Sequence, residues 1–300
     1  MYDRVIVGVD DSDDARAAAR TAFELGAKWD VPVDVVHVLG RTVLDALRSS
    51  QDRERIRSER TELLDSIAEI ATDRDLEPTT ALLEGKPAAE LTAYAEDRLG
   101  SVLVLGRQGR SAVSEKLLGG VTEKAIETAR VPVLVEPGES ENRIPIGRGP
   151  VLVPTDGSAN AEAAYPYAGQ LAADFDVPVQ LLSVLDVQRA GGVFNAGGVE
   201  SELIERLESE MRTELADAKE TLAEAVPDRE IETALRKRSD FKGVSGAILD
   251  YGHENEVGCI VMGSHGRSNV RRQLLGSVTS TVLRDVDVPV LVIPRSMETS

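Results

Sequence analysis

The amino-acid sequence predicts an α/β fold with two tandem, five-stranded, parallel, doubly wound domains of the Rossmann-like type. The first reason is that short apolar runs, typical of strands buried on both faces of a parallel sheet, alternate with helical patterns. The second is an internal repeat: Asp10 and Asp156 lie 146 residues apart, whereas Gly119 and Gly276 lie 157 residues apart. A net insertion of 11 residues between the second and fourth strands accounts for both offsets.

The first half contains all five strand patterns. Strand one ends at Asp10, and Ser12, Asp13 or Asp14 then offers the N-cap of an alanine-rich helix over 15–29. Because crossovers between parallel strands are right-handed, the alternation favours a doubly wound sheet with strand order 3-2-1-4-5. The predicted strands cover 4–9, 33–39, 77–84, 101–105 and 131–135. Three more helices are predicted: one that ends near residue 73, one from 86 to about 99, and one over 115–129.

The second half begins the same pattern again at Val151. Its first strand ends at Asp156, with Ser158 or Asn160 as the next N-cap, and further strand patterns cover 179–185, 259–262 and 288–293. A long helical pattern carries an apolar stripe with steps of three and four, which we interpret as a core face: Leu203, Leu207, Met211, Leu215, Ala218 and Leu222. The predicted domains are residues 1–138 and 150–300, and the segment 139–149 has the composition of a linker.

The composition excludes several classes of protein. A net charge of −18, from 52 acidic and 34 basic residues, argues against binding to nucleic acid or to anionic membranes. Only seven of the basic residues are lysines, and acid-rich, lysine-poor chains resemble those of halophilic microbes. The alternative is an ordinary acidic cytosolic protein.

The single cysteine and the N-terminus point to the cytoplasm. Cys259 lies in an apolar strand pattern, so it is expected to be a buried structural thiol, and one cysteine excludes a disulfide framework. The N-terminal residues enter the first strand directly, without a signal-peptide pattern, and no apolar run approaches a membrane span. We therefore expect a soluble cytoplasmic protein.

The residues that could carry chemistry follow strands one and four of the second half. In an order 3-2-1-4-5 these strands are neighbours at the point where strand order reverses, and ligands bind at that edge. Asp156 could accept hydrogen bonds from ribose hydroxyls, and backbone at Val184 could contact an adenine edge. The loop N–H groups and Ser277 could donate to phosphates, because the glycine spacing Gly263-x2-Gly266-x9-Gly276-Ser277 leads from a strand into a helix.

These motifs resemble the universal stress protein family over nearly the whole chain, as two fused domains. The residues that carry the resemblance are Val153-Pro-Thr-Asp-Gly-Ser158, Met262-Gly-Ser-His-Gly-Arg267, the glycine spacing, and the closing run Val288–Ile293. The resemblance implies ATP binding in the second half, with Asp156 and Gly263 contacting ribose and Val184 contacting adenine. It implies phosphate contact by Gly266, Gly276, Ser277 and Val278, and it places Pro154, Thr155 and Arg267 in the same site.

The first half departs from the family pattern at one position. Its glycines keep the spacing, but Gly120 stands where the second half has Ser277, so a hydroxyl donor is lost. A hydrogen bond from a side chain to a charged group contributes about 1.5–3 kcal/mol, or roughly one to two decades of affinity. We therefore expect a weaker or vacant first site, where Asp10 serves only to enter the helix. Its residues are Asp10, Val38, Gly106, Gly109, Gly119, Gly120 and Val121.

The cations and the histidine of the loops are less specific signals. The second loop carries Arg267, Arg271 and Arg272, and the first carries Arg107, Arg110 and Lys116. They could offset the repulsion between ATP and an acidic chain, or they could simply be solvated residues at a helix start. His265 has no second histidine or cysteine near it in sequence, so we assign no catalytic or metal-binding residue.

The resemblance thus implies an ATP-binding protein that acts as a nucleotide-dependent stress-response or regulatory protein, with its main site in the second domain. Mg²⁺ or Mn²⁺ would be held through the phosphates. The family pairs through its last strands, so 131–135 and 288–293 are expected to join the halves as an internal pseudo-dimer, and a homodimer is a further expectation. The alternatives are a slow ATPase or adenylyl-transferring enzyme, and an interaction protein without nucleotide. The sequence identifies no protein partner.

Overall fold

The structure is a computed structural model of the chain. It describes residues 2–41, 45, 49–74, 76–109, 117–138, 144–187, 199–226, 229–238, 242–266 and 275–295. The chain divides into two compact units: unit 1 is Met1–Arg143 with Met297–Ser300, and unit 2 is Ile144–Ser296. Within the described residues, none of the helices has the length and apolar composition needed to cross a membrane.

Unit 1 contains a five-stranded parallel sheet in the order β3-β2-β1-β4-β5. The central strand β1 pairs on both sides, with Val7 opposite Val35 of β2 and opposite Val104 of β4. The elements are β1 (Arg4–Gly8), α1 (Asp13–Trp29), β2 (Val33–Gly40), α2 (Ser50–Ala68), a 3₁₀ helix (Glu69–Arg74), β3 (Thr79–Gly85), α3 (Pro87–Glu96), β4 (Ser101–Gly106), α4 (Gly120–Thr128) and β5 (Val133–Glu136).

Unit 2 repeats this topology, because its strands follow the order β10-β9-β6-β7-β8, with β6 as its first strand and β10 as its last. The prediction of parallel, doubly wound sheets with strand order 3-2-1-4-5 is therefore confirmed. The elements are β6 (Val151–Pro154), α5 (Ala159–Glu162), α6 (Tyr165–Phe175), β7 (Val179–Asp186), α7 (Val199–Ala225), β8 (Ile231–Arg238), α8 (Gly243–Glu254), β9 (Cys259–Gly263), α9 (Ser277–Asp285) and β10 (Val290–Ile293).

The first strand of each unit leads into a capped helix. Val5, Ile6 and Val7 are completely buried, as expected for a strand covered on both faces. The hydroxyl of Ser12 then accepts a hydrogen bond from the Ala15 N–H and caps α1. Ser158 caps α5 in the same way. Of the residues proposed as N-caps, the two serines are the ones that fill this role.

Some predicted helix boundaries are wrong. The helix predicted over 115–129 begins only at Gly120, because residues 117–119 are not helical, and 110–116 lie outside the described residues. The helix predicted to run to about 99 ends at Glu96. The helix predicted to end near 73 ends as an α-helix at Ala68 and continues as the 3₁₀ helix.

The stripe on α7 is a core face along only part of its length. Leu215, Ala218 and Leu222 are buried, whereas Leu203 is 42% exposed. The interpretation of the whole stripe as core is therefore wrong at its N-terminal end. The reason is that a regular stripe shows which residues share a face but not how far the neighbouring elements extend along it.

The end of the segment expected to be a linker belongs to unit 2. Ile146 is buried, and a Cβ on Gly149 would clash with the carbonyl oxygen of Glu256. The backbone therefore packs closely on unit 2 before β6 begins.

A buried carboxylate connects three elements of unit 1. Asp34 on β2 is 1% exposed, and its Oδ1 lies 2.6 Å from Nη1 of Arg4 on β1. Its Oδ2 lies 3.3 Å from Nε of Arg98 and accepts a hydrogen bond of 3.2 Å from the Tyr94 hydroxyl. Burial, followed by the charge of Asp34, raises the pKa of Tyr94, so this hydroxyl stays a donor.

We predict that Asp34→Ala destabilises unit 1 by about 1–3 kcal/mol, because the half-buried Tyr94 donor loses its acceptor while the partly exposed arginines regain water. Hydrogen exchange of the β1 and β2 amides measures this loss. The matched control is Glu84→Ala on β3, the strand next to β2, which breaks an exposed pair with Arg57 of α2 and should change the exchange little. Equal effects of the two variants would contradict the assignment.

Candidate functional site

The turn after β6 carries the first part of the candidate site. Pro154 ends the strand, and the Thr155 N–H still donates to the carbonyl oxygen of Leu182 on β7 at 2.8 Å. Asp156 follows, and its Oδ1 accepts a hydrogen bond of 3.1 Å from the Ser158 N–H. Between them Gly157 has φ +69°, a left-handed conformation that glycine adopts at little cost. The sequence thus fixes Asp156 at the carboxyl edge of the sheet.

The glycine loop after β9 lies directly against this turn. A Cβ on Gly263 would lie 2.5 Å from the carbonyl oxygen of Asn160, so only glycine lets β9 approach the start of α5. A Cβ on Gly266 would lie 2.7 Å from Oδ2 of Asp156. Oδ2 of this carboxylate therefore lies over the backbone of the loop.

The loop returns to the sheet at the start of α9. The Gly276 N–H donates to the carbonyl oxygen of Ser264 at 2.9 Å, and the Thr279 hydroxyl donates to that of Gly263 at 3.0 Å. The first hydrogen bond within α9 runs from the Ser280 N–H to the Gly276 carbonyl oxygen. Gly276 has no side chain that could cap the N–H groups of the first turn. These N–H groups, together with the helix dipole, suit an anion.

These pieces surround one cavity of about 380 Å³. Nine of the ten site residues predicted in the second half line it: Pro154, Thr155, Asp156, Val184, Gly263, Gly266, Gly276, Ser277 and Val278. The tenth, Arg267, lies outside the described residues. The structure thus brings together strand-end, loop and helix-start residues that are up to 124 positions apart in sequence.

Sequence reasoning missed the opposite wall of the cavity. Met211 and Glu214 reach it from α7, and Val244 and Ile248 reach it from α8. Met211 belongs to the stripe that was interpreted as core, so that interpretation is wrong for this residue as well. The helical spacing shows which residues share a face of α7. Acidic residues beside the stripe, such as Glu214, are common on exposed helix faces and did not indicate a cavity.

The charges described around the cavity are negative. Asp156 and Glu214 contribute carboxylates, and the lining residues that the structure describes include no lysine or arginine. Arg271 and Arg272, like Arg267, lie outside the described residues. His265 also lines the cavity, with its Nδ1 3.0 Å from the Ser264 hydroxyl.

Unit 1 builds the same backbone frame. The Gly119 N–H donates to the Arg107 carbonyl oxygen at 2.8 Å, and the Thr122 hydroxyl donates to that of Gly106 at 2.8 Å. A Cβ on Gly109 would lie 2.6 Å from Oδ2 of Asp10. Each of these three relations has its counterpart in unit 2, so at the described ends of the loops the two units differ in their side chains.

The side chains of unit 1 bind the start of its own loop. The Asp14 carboxylate accepts a hydrogen bond of 2.9 Å from the Gln108 N–H, and the Gln108 side chain donates to the Leu117 carbonyl oxygen at 2.6 Å. Val38 is buried, whereas Val121 is 40% exposed. A cavity of about 500 Å³ in this unit includes none of the seven first-site residues predicted from the sequence; it is lined by Asp13, Asp14, Arg16, Arg20, Arg107, Gln108 and Pro137.

Comparison with known proteins gives consistent matches. Residues 1–137 and 147–294 each match the model of the Universal stress protein family. A universal stress protein of Mycobacterium tuberculosis is 27% identical over 306 residues, covering 97% of each chain, and one of Methanocaldococcus jannaschii is 29% identical over 139 residues, covering 45% of this chain and 82% of the relative. A crystal structure of a universal stress protein from Archaeoglobus fulgidus matches with a TM-score of 0.69 at 19% identity, covering 99% of this chain and 100% of that one, and so has the same fold.

Asp14 provides a pH test of the frame in unit 1. Burial raises the pKa of its carboxyl above the usual 3.8, although the Gln108 N–H and Arg107 oppose the shift. The folded state therefore binds more protons than the unfolded state between the two pKa values, and this contribution to stability is lost as the pH rises through that window.

We predict that Asp14→Asn, which introduces the residue found at the equivalent position 160, removes this pH dependence and makes unit 1 more stable at neutral pH. The Asn oxygen can still accept from Gln108. The measurement is urea unfolding of both proteins between about pH 4 and 8, where the difference should grow as the pH rises through the window between the two pKa values of Asp14 and then level off. The control is Asp11→Asn, at an exposed neighbouring position whose charge does not contribute to the shift of Asp14. A difference that stays constant or shrinks with pH would contradict the prediction.

Proposed function

The chain belongs to the universal stress protein family, and we propose that it binds ATP in the cavity of unit 2 as a nucleotide-dependent regulatory protein of the stress response. The observation that carries the proposal is the convergence of nine predicted residues on one cavity. That cavity combines a carboxylate at the end of the first strand with a glycine loop and an uncapped helix start. This is the edge of a doubly wound sheet where ligands bind.

The cavity suits the parts of a nucleotide. Its volume of about 380 Å³ lies in the range of small-molecule sites. Met211, Val244 and Ile248 offer an apolar wall for a base, and the Asp156 carboxylate, which lines the cavity, can accept hydrogen bonds from ribose hydroxyls. The N–H groups at the start of α9 and the Ser277 hydroxyl can donate to phosphate oxygens.

The charges favour ATP bound with a divalent cation. Asp156 and Glu214 would repel the phosphates, and Mg²⁺ or Mn²⁺ on those phosphates would reduce the repulsion. Among the described residues there is no group of three or more His, Cys, Asp or Glu side chains that could hold a metal. We therefore place the ion on the phosphates and expect Arg267, in the same loop, to add positive charge.

Unit 1 is proposed to bind nucleotide more weakly than unit 2. Gly120 offers no hydroxyl where Ser277 stands, and the start of the loop is bound by Asp14 and Leu117 of the same unit. One nucleotide per chain is the expected occupancy. In this proposal the nucleotide acts as a signal that is held or released, rather than as a substrate turned over rapidly.

The competing proposal is an enzyme that slowly hydrolyses ATP or transfers its adenylyl group. The observation in its favour is that His265 lines the same cavity beside Gly266. A base in that role needs to reach the attacking group within hydrogen-bond distance. Accumulation of ADP or AMP during incubation with ATP would identify this activity.

We predict that the purified protein carries about one equivalent of ATP per chain, because Ser277 of unit 2 supplies a hydroxyl donor that Gly120 of unit 1 lacks. The measurement is acid denaturation followed by ion-exchange chromatography of the supernatant against ATP, ADP and AMP standards. A parallel sample treated with EDTA should lose most of its nucleotide, since the cation reduces the repulsion at the site.

The alternative outcomes separate the hypotheses. Two equivalents of ATP would show that Gly120 does not disable unit 1. No nucleotide, together with no binding on titration of ATP with Mg²⁺, would leave an interaction protein without nucleotide.

A matched glycine pair tests which unit binds. A Cβ would lie 3.1 Å from the Ser264 carbonyl oxygen at Gly276, and 3.1 Å from the Arg107 carbonyl oxygen at Gly119, so alanine disturbs both loops equally. We predict that Gly276→Ala lowers ATP affinity about tenfold or more because the donors of α9 shift, whereas Gly119→Ala leaves it unchanged. Calorimetric titration measures both affinities, and equal losses would refute the asymmetry.

A further inference from the structure

A tyrosine behind the cavity is hydrogen-bonded to one of its lining residues. The Tyr165 hydroxyl lies 2.8 Å from Oγ1 of Thr155, and Tyr165 is only 1% exposed. The same Thr155 oxygen accepts a hydrogen bond of 3.2 Å from the Gly157 N–H. Thr155 lines the cavity, but Tyr165 does not.

The direction of the bond follows from counting donors and acceptors. A hydroxyl has one proton to donate and two lone pairs. Within the part of the chain that the structure describes, Thr155 is the one hydrogen-bond partner of the Tyr165 hydroxyl. If Tyr165 accepted, its own proton would be buried without an acceptor, which is unfavourable. Tyr165 therefore donates to Thr155.

This direction leaves the Thr155 proton available to a ligand. Oγ1 of Thr155 accepts from Tyr165 and from Gly157, so both of its lone pairs are used. Its own proton has no acceptor among these groups, and the residue borders the cavity. Burial raises the pKa of the Tyr165 hydroxyl, so that it remains a donor at neutral pH.

Unit 1 lacks this arrangement altogether. Val9 occupies the position of Thr155, and Ala19 occupies that of Tyr165. Neither residue carries a hydroxyl, so the pair is specific to the unit that contains the candidate nucleotide cavity.

We propose that Tyr165 is a positioning residue that holds the Thr155 hydroxyl as a hydrogen-bond donor to the nucleoside part of the bound nucleotide. This inference rests on the proposed function. The nucleoside is the part expected to contact Thr155, because Thr155 precedes Asp156, the proposed ribose contact, and bonds through its N–H to β7, the strand that carries Val184. A group on the ligand that accepts this bond would be a ribose oxygen or a ring nitrogen of the base.

The direction of the bond can be tested without any nucleotide. In NMR spectra of the nucleotide-free full-length protein, we expect a slowly exchanging hydroxyl proton assigned to Tyr165 and a rapidly exchanging one on Thr155. Protection of the Thr155 proton instead would mean that Tyr165 accepts, and it would overturn the proposal.

The consequence for binding is tested by a double-mutant cycle with adenosine and ATP as ligands. Tyr165→Phe and Thr155→Val should each weaken both ligands by about 3- to 10-fold, since the contact is with the nucleoside. Tyr165→Phe should have no further effect in the Thr155→Val background, because it acts through that hydroxyl. Thr155→Ser should keep the affinity of the unmodified protein.

Tyr251→Phe is the matched control, because Tyr251 is a buried tyrosine of the same unit that does not line the cavity. It should leave both affinities unchanged. Losses that are independent in the two backgrounds, or a loss for ATP without one for adenosine, would overturn the donor role while the proposed function stands. Absence of nucleotide binding by the unmodified protein would overturn the proposed function and the donor role together.

Discussion

Close backbone contact between two strand ends is the constraint on which each unit depends. The glycine at the end of the fourth strand, Gly106 or Gly263, lies where a Cβ would strike the backbone at the start of the helix after strand one. Two neighbouring parallel strands can therefore end at the same level with their following segments in contact. As a result, the second glycine of each loop, Gly109 or Gly266, lies next to the carboxylate of Asp10 or Asp156 at the end of strand one. The backbone frame is thus set by a few positions where no side chain fits.

The two units show what such a frame leaves free. Their glycines, and the threonine that bonds back to the fourth strand, are the same, so the described ends of the loops have the same backbone contacts in both units. In unit 1 the Asp14 carboxylate accepts from the Gln108 N–H at the start of the loop, and a carboxylate bound there competes with any incoming anion. Unit 2 has Asn160 at this position, which removes one negative charge beside the loop. Divergence of the halves therefore follows from charge and hydrogen-bonding groups placed on an unchanged backbone.

The sequence predicted those parts of the molecule that depend on local chemistry. Buried strands such as β1 and β9 could be predicted because both of their faces are apolar. The glycines of the site could be predicted because their spacing repeats in the two halves. The third strand of unit 2, β8, was not predicted. Its sequence, Ile-Glu-Thr-Ala-Leu-Arg-Lys-Arg, has few apolar residues and no regular alternation of apolar and polar residues, and most of the strand is at least partly exposed. Without β8, helix α8 and its cavity residues Val244 and Ile248 could not be placed. The contribution of Met211 was missed for a different reason, because a core stripe and a cavity wall have the same periodicity.

The charge of the chain constrains how its proposed ligand can be held. With a net charge of −18 and carboxylates from Asp156 and Glu214 at the cavity, long-range electrostatics oppose the approach of a polyphosphate. Attraction must therefore come from short-range groups that salt screens little: N–H groups of α9, the Ser277 hydroxyl and a cation bound to the phosphates. The proposed site would therefore discriminate strongly between a nucleotide with its cation and one without it. An acidic protein of this kind would respond to the state of the nucleotide–metal complex rather than to phosphate charge alone.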